Sequence, residues 1–259
     1  MFADKISTAV RSALLAASAF ALIVPVSEAV AGPLSWIRGE RVQGNGHIVK
    51  QEREVAHFSA LALSTGAKVE VRLGGAEGVT VETDDNIMPV LETVVEGSTL
   101  HIRPAKKNMQ LETRNMRIVV QARNLQSISV GGSGSVDAAG LSGNKLSFEM
   151  GGSGSIVARD VKGRKVSVSL GGSGSVKTTG AAEDLEISIG GSGEVHAGDL
   201  AVREASVSIG GSGDATVNAN KSLNVSVAGS GDVGYYGDPQ ISKTVVGSGG
   251  VKRLGASRQ

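Results

Sequence analysis

The sequence predicts an all-β chain folded as a single-domain parallel β-helix, a solenoid of short strands joined by tight corners. Three observations predict it. Gly-Ser-Gly recurs with its first Gly at positions 132, 152, 172, 191, 211, 229 and 247, at spacings of 20, 20, 19, 20, 18 and 18. A fixed period of this kind marks stacked structural repeats, whereas a flexible linker would not recur in register. Each triplet up to position 229 follows an alternating segment: LQSISV, LSFEM, VSVSL, LEISI, ASVSI and LNVSV. Apolar-polar alternation is the signature of a half-buried strand. Finally, aromatic residues make up only 3% of the chain while Gly accounts for 37 of 259 residues. Such a core must be built from Val, Ile, Leu and Ala, which suits thin stacked strands better than an aromatic-packed globule.

Taken from the N-terminus, residues 1–31 read as a signal peptide. Lys5 and Arg11 supply a positive start, SALLAASAFALIV (12–24) an apolar run, and Pro25 a break. Small residues follow at 29–31, for cleavage after Ala29 or Ala31. The apolar run is short for a membrane span, and no later segment is apolar enough to cross one. Residues 32–47 are expected to be a loose mature N-terminus, 48–255 the β-helix and 256–259 a tail. Within 42–125, KVEVRL, GVTVET, STLHIRP and MRIVVQA read as the opening coils of the same solenoid, with NIMPVLETVVEG (86–97) crossing between strands.

The repeats themselves carry the core. One repeat cannot bury its apolar face, but a stack buries a continuous column. The period also suits a leucine-rich repeat, yet the Asn and the helical half of that pattern are missing. Expected inward ladders run Leu146, Val166, Leu185, Leu223 and Met150, Leu170, Ile189, Ile209, Val227. After each corner a small apolar residue returns: Val136, Ile156, Val176, Val195, Ala215, Val233 and Val251. The corner itself is a structural ladder of glycines: Gly132, Gly134, Gly152, Gly154, Gly172, Gly174, Gly191, Gly193, Gly211, Gly213, Gly229, Gly231, Gly247 and Gly249. A repeated tight bend is expected to need glycine both for positive φ and for close backbone approach. Near the end, Tyr235 and Tyr236 are expected to cover the last coil, whose strand edge would otherwise be sticky.

Several segments together are similar to a known family. FSALALSTGAKVEVRLG (58–74), VTVETDDNIMPVLETVVEGSTLHIRP (79–104), the Gly-Ser-Gly ladder and VGYYGDPQIS (233–242) resemble the putative auto-transporter adhesin head GIN domain, over about residues 48–255. The resemblance implies a bacterial extracytoplasmic protein with a right-handed β-helix, and it brings no catalytic residues. The sequence lacks a C-terminal set of membrane-barrel strands, so residence in the periplasm is expected on equal terms with the cell surface or secretion.

Composition excludes several functions. The net charge is +1 and no basic run carries interleaved aromatics, so no nucleic-acid partner is expected. With no cysteine, stability in an exported setting must come from packing and backbone pairing, and an N-terminal lipidated Cys is excluded. His47, His57, His101 and His196 form no HExxH or Cys-His motif. GSGDVG (229–234) matches a dinucleotide fingerprint, but turn residues follow where a helix must open. Glycine-rich calcium repeats need Asp where this chain has Val or Ile. No catalytic residue and no cofactor is expected.

Two surface patterns remain. The residue after the triplet is Ser135, Ser155, Ser175, Glu194, Asp214 and then Asp232. Stacked about 4.8 Å apart, neighbouring carboxylates repel by about 0.9 kcal/mol even in bulk water. That makes Glu194, Asp214 and Asp232, with His196 alongside, a weak candidate for a cation or ligand, set against the plainer reading of solvated turn residues. The second pattern is the outward strand face: Ser127, Ser147, Ser167, Glu186, Ser206, Asn224 in one file and Ser129, Glu149, Ser169, Ser188, Ser208, Ser226 in the other. Such a flat polar array suits an envelope or extracellular polymer or protein as partner. The sequence thus favours an exported, non-enzymatic β-helix, adhesin-like or scaffold. The alternatives are a polysaccharide-active lyase or hydrolase on the same architecture, or a purely structural periplasmic component.

Overall fold

The computed structural model describes residues 40–258; the expected signal peptide lies outside them. The N-terminal part holds β1 (Arg41–Gln43), β2 (Ile48–Arg53), β3 (Ala60–Leu63), β4 (Lys68–Leu73), β5 (Gly78–Asp84), β6 (Leu91–Glu96), β7 (Thr99–Pro104), β8 (Gln110–Glu112) and β9 (Arg117–Ala122). The repeats form β10 (Ser127–Val130), β11 (Ser135–Ala139), β12 (Ser142–Met150), β13 (Ser155–Leu170), β14 (Ser175–Ile189), β15 (Glu194–Ile209) and β16 (Asp214–Gly229). They end in β17 (Val233–Tyr236), β18 (Gln240–Gly247) and β19 (Val251–Gly255).

The repeat region is the predicted parallel β-helix. Ser147–Met150 of β12 lie on Ser127–Val130 of β10, and the same register continues through β13, β14, β15 and β16. Inward ladders follow it: Leu146, Val166, Leu185, Ala205 and Leu223 are aligned, as are Met150, Leu170, Ile189, Ile209 and Val227. All are buried. Each long strand runs along one side, bends onto a second and continues to the next Gly-Ser-Gly corner. The bend shifts the register between Ala158 and Val161, where Gly140 (φ 75°) and Asp160 (φ 53°) are left-handed.

The glycine corner works mainly through contact. A Cβ on Gly172 would meet the Gly152 carbonyl oxygen at 2.1 Å, and one on Gly193 would meet that of Gly174 at 2.3 Å. The coil below leaves no space for a side chain at either glycine of the triplet. Positive φ, expected along the whole ladder, occurs within it only at Gly229 and Gly247. Close approach is therefore the general reason for glycine, and backbone handedness a local one.

The opening coils depart from the prediction. They do not stack in chain order. β3 lies between β7 and β10, and β4 between β9 and β11, all parallel. The coil of residues 99–122 is thus below that of residues 60–73, and residues 127–139 return above it. Three strands run antiparallel beneath: β6 on β7, β5 on β9 and β2 on β5. The stretch read as a crossing at 86–97 is a 3-10 turn, Met88–Val90, followed by β6. Arg53 locks this cap. Its guanidinium donates to the carbonyls of Leu91 (2.7 Å) and Met88 (2.9 Å).

Residues 40–47 and 256–258, the described parts of the expected loose N-terminus and tail, make specific contacts. β1 pairs with β8. The buried Asp84 carboxylate accepts from the Gly46 N–H and the Thr113 hydroxyl, pinning the segment before β2. At the other end, Asn218 is buried and donates to the Arg258 carbonyl, while the Ser257 hydroxyl donates to Asn218. Tyr235 and Tyr236 do not cover the last coil. They lie in β17 against Val217 and Asn218, and β18 beyond is exposed along its whole length.

Candidate functional site

Strand alternation builds the broadest surface. Because inward residues fill the core, every second residue of β10, β12, β13, β14, β15 and β16 points outward. The two files read from the sequence are in register. Ser127 aligns with Ser147, Ser167, Glu186, Ser206, Asn224 and Ser242, and Ser129 with Glu149, Ser169, Ser188, Ser208, Ser226 and Thr244. Downward the files run into Ala60 and Thr99, and into Ala62 and His101. At about 4.8 Å per strand the face is roughly 40 Å long. Glu186 pairs with Lys165 at 2.7 Å, and that contact holds its carboxyl below the usual range. The face is therefore dominated by hydroxyls, which donate and accept without fixed geometry.

The corner adds a polar stripe that sequence reading passed over. Ser133, Ser153, Ser173, Ser192, Ser212, Ser230 and Ser248, the middle residues of the triplets, are exposed or nearly so at the stacked bend. From Ser153 onward their N–H groups are used within the stack, Ser153 donating to Gly132 and Ser173 to Gly152. Their hydroxyls are left facing outward. The signal was present in the invariant middle Ser, but the flanking glycines drew the explanation.

A separate outward file, at the strand starts just after the corner, contains the candidate carboxylates. Ser135, Ser155, Ser175, Glu194 and Asp214 align strand by strand, with Asp232 next through the Ala215 and Val233 pairing. Asp214 accepts the N–H of Asp232 at 2.8 Å, and Asp232 accepts that of Gly250 at 2.7 Å. In earlier coils a backbone carbonyl does this work, as Gly174 does for Glu194 and Gly193 for Asp214. The aspartates take over where the repeat shortens to 18 residues. Glu194 meets His196 at 3.0 Å. Among the described residues no group of three acidic, His or Cys side chains is arranged to hold a metal ion. The non-sequential coils extend this file with Lys68 and Arg117 at its far end. It therefore passes from cationic through serine to anionic, an order the linear sequence hides.

Depressions on the surface are shallow. One of about 580 Å³ lies over Lys68, Arg72, Arg117 and Arg159. Two of its arginines are already paired, Arg72 with Glu70 and Arg159 with Asp137. His196 borders another of about 390 Å³, beside Tyr236, Asp199 and Arg258. There the Arg258 guanidinium stacks 3.9 Å over the Tyr236 ring and bonds Asp199 at 3.2 Å, which closes the tail onto the solenoid. The stacked columns fill the interior with Phe148, Leu61, Ile128 and their neighbours.

A filled stack of parallel coils with a long, flat, hydroxyl-rich side defines the class of β-solenoid proteins. The chain belongs to the family described as "putative auto-transporter adhesin, head GIN domain", which matches residues 57–239. Among solved structures it is similar to one described as a "putative lipid binding protein" from Parabacteroides distasonis. They share 29% identity and a TM-score of 0.70, over 83% of this chain and 100% of that one. It is also similar to a "putative adhesin" from Bacteroides fragilis, with 26% identity and a TM-score of 0.77, over 82% of this chain and 100% of that one. A "putative adhesin" from Parabacteroides merdae, at 19% identity and a TM-score of 0.65, shares the fold. No curated protein matches the chain.

Proposed function

We propose that this is an exported, non-enzymatic binding protein that engages an envelope or extracellular polymer along its flat serine face. The observation that carries the reading is the uninterrupted register of the two outward files from Ser127 to Ser242 and from Ser129 to Thr244. Hydroxyls repeated along one axis match a partner that itself repeats, such as a glycan or an extended protein. Many weak contacts then act together at high effective concentration. The adhesin descriptions of its relatives agree with this use. Among the described residues no helix is long and apolar enough to cross a membrane.

The carboxylates favour a structural role over catalysis. Glycoside hydrolysis needs two carboxyl groups free to act on opposite sides of a bond. Here Asp214 and Asp232 hold backbone N–H groups on one straight file. The test is retention of residues 32–259 on immobilised glycans, matrix proteins, lipid vesicles and envelope fractions, with and without calcium. A Ser167→Arg/Ser206→Arg variant, which crowds the face without touching the core, is expected to lose at least about tenfold in retention. Equal retention of the variant rejects the face, and turnover of any glycan rejects the non-enzymatic reading. Calcium-dependent retention that Asp214→Asn abolishes would restore the carboxylate file as a ligand site.

A further inference from the structure

The solenoid ends differently at its two ends. At the N-terminal end antiparallel strands and the Arg53 lock close the stack. At the other end, among the described residues, β18 pairs only with β16, and β19 only with β17. The free side of β18 presents a row of backbone N–H and C=O groups over eight residues, the usual template for another strand. Its inward positions continue the core columns. Ile241 lies on Leu223, Lys243 on Val225 and Val245 on Val227. Ile241 and Val245 are 40% and 37% exposed, although they stand where every earlier coil is buried. Lys243 is the one charge in that column.

The terminal coil is also cationic. Residues 239–258 contain Lys243, Lys252, Arg253 and Arg258 and no Asp or Glu. Arg253 pairs with Asp238 and Arg258 with Asp199. Among the described residues Lys243 and Lys252 have no carboxylate partner.

We infer that β18 is the docking edge for one extended segment of an acidic partner protein, added to the sheet as a further strand. The partner strand would place apolar residues over Ile241 and Val245 and a carboxylate over Lys243. Three features select this occupant. Only another extended backbone can satisfy the edge along its whole length, which lipid phosphates cannot do. The two exposed apolar residues and the central cation form a pattern with the strand period of two. A second copy of this chain laid on the edge would bring Lys243 toward its own equivalent, and like charges are penalised. Lys243 thus serves both to reject self-pairing and to select a partner. This inference is independent of the serine face, which lies on the outward side of the same strands.

The probe is a labelled peptide, acetyl-Thr-Val-Thr-Glu-Thr-Val-Thr-amide, which reads the same in both directions and so assumes no orientation. It is titrated against residues 32–259 by fluorescence anisotropy, alongside the same peptide with Lys for Glu. The Glu peptide is expected to bind about five- to tenfold more tightly than the Lys peptide. Lys243→Glu, an exposed and structurally tolerant change, is expected to reverse that order. Amide exchange should slow within residues 240–247 and stay unchanged in the part of the serine face on β10 to β15. No binding of either peptide at millimolar concentration overturns the inference, as does an order that Lys243→Glu leaves unchanged. Binding to phosphatidylglycerol vesicles in place of the peptides would assign the end to an anionic lipid surface. A dimer in sedimentation that competes with the peptides would assign it to a second copy. Either result replaces the acidic strand.

Discussion

The repeat region and the N-terminal cap share one core but hold it together in opposite ways. From residue 127 onward each coil is a near copy of the last, and neighbouring coils touch through the same atoms. The glycine corner, the returning Val or Ile and the outward Ser recur in register. Below residue 125 the same columns continue, but the coils stack out of chain order and three strands reverse direction. There single side chains replace the periodic contacts: Arg53 across two carbonyls, Asp84 across an N–H and a hydroxyl. A periodic stack spreads its stability over neighbour interfaces, whereas a cap must supply specific partners for each strand it reverses.

That contrast predicts where mutations hurt. The largest effect should come from Gly172→Ala, because its Cβ would lie 2.1 Å from the Gly152 carbonyl and the stack cannot give way there. A loss of about 3 kcal/mol or more is expected in chemical denaturation. Gly171→Ala, one residue away, meets nothing within 4 Å and should change stability by less than about 0.5 kcal/mol. Equal effects of the two would refute close approach as the reason for the ladder.

The cap should break at its named staples. Asp84→Asn is expected to cost about 2 kcal/mol, since a charged acceptor of two hydrogen bonds is replaced by a neutral amide. The Thr113 hydroxyl bond, foremost, holds the Asp84 carboxyl below its ordinary value of 3.8. Its contribution is therefore complete above about pH 4 and disappears as the pH falls through the lower native pKa. Urea midpoints measured between pH 6 and pH 2 should fall less for Asp84→Asn than for the unchanged protein.

Smaller effects sharpen the picture of the repeats. Asp214→Ala leaves the Asp232 N–H without its acceptor and should cost about 1 kcal/mol, with faster exchange of that amide. Asp214→Asn keeps an acceptor oxygen and should be nearly neutral. If Ala and Asn behave alike, the carboxylate file is not a backbone substitute. Thr178 is fully buried and its hydroxyl has no partner among the described residues. Thr178→Val, of nearly the same shape, should gain up to about 1 kcal/mol in thermal melts.

Legibility in the sequence followed periodicity. The inward columns through Leu146 and Met150 and the outward serine files were all readable, because a period of two within strands and about 20 between coils leaves one register. The cap was not. Leu61 and Leu63, Leu100 and Ile102, and Ile128 and Val130 fill equivalent inward positions, so any order of these three coils satisfies the pattern. The carboxylate file was legible as a row, but not its hydrogen bonds to the next coil, which depend on the shortened corner. Tyr235 and Tyr236 drew attention as end-coverers by composition. Their actual place is fixed by the register of β17 on β16.

The all-β solenoid, the glycine corner, the composition of the core and the small-polar side were all specified by the repeat, because each is written into a pattern that only stacking satisfies. Tertiary structure alone decided the coil order at the N-terminal end, the antiparallel cap, the cationic start of the carboxylate file and the open edge at β18. These depend on which strands meet across long sequence separations, and local patterns carry no record of that choice when several strands would fit equally well.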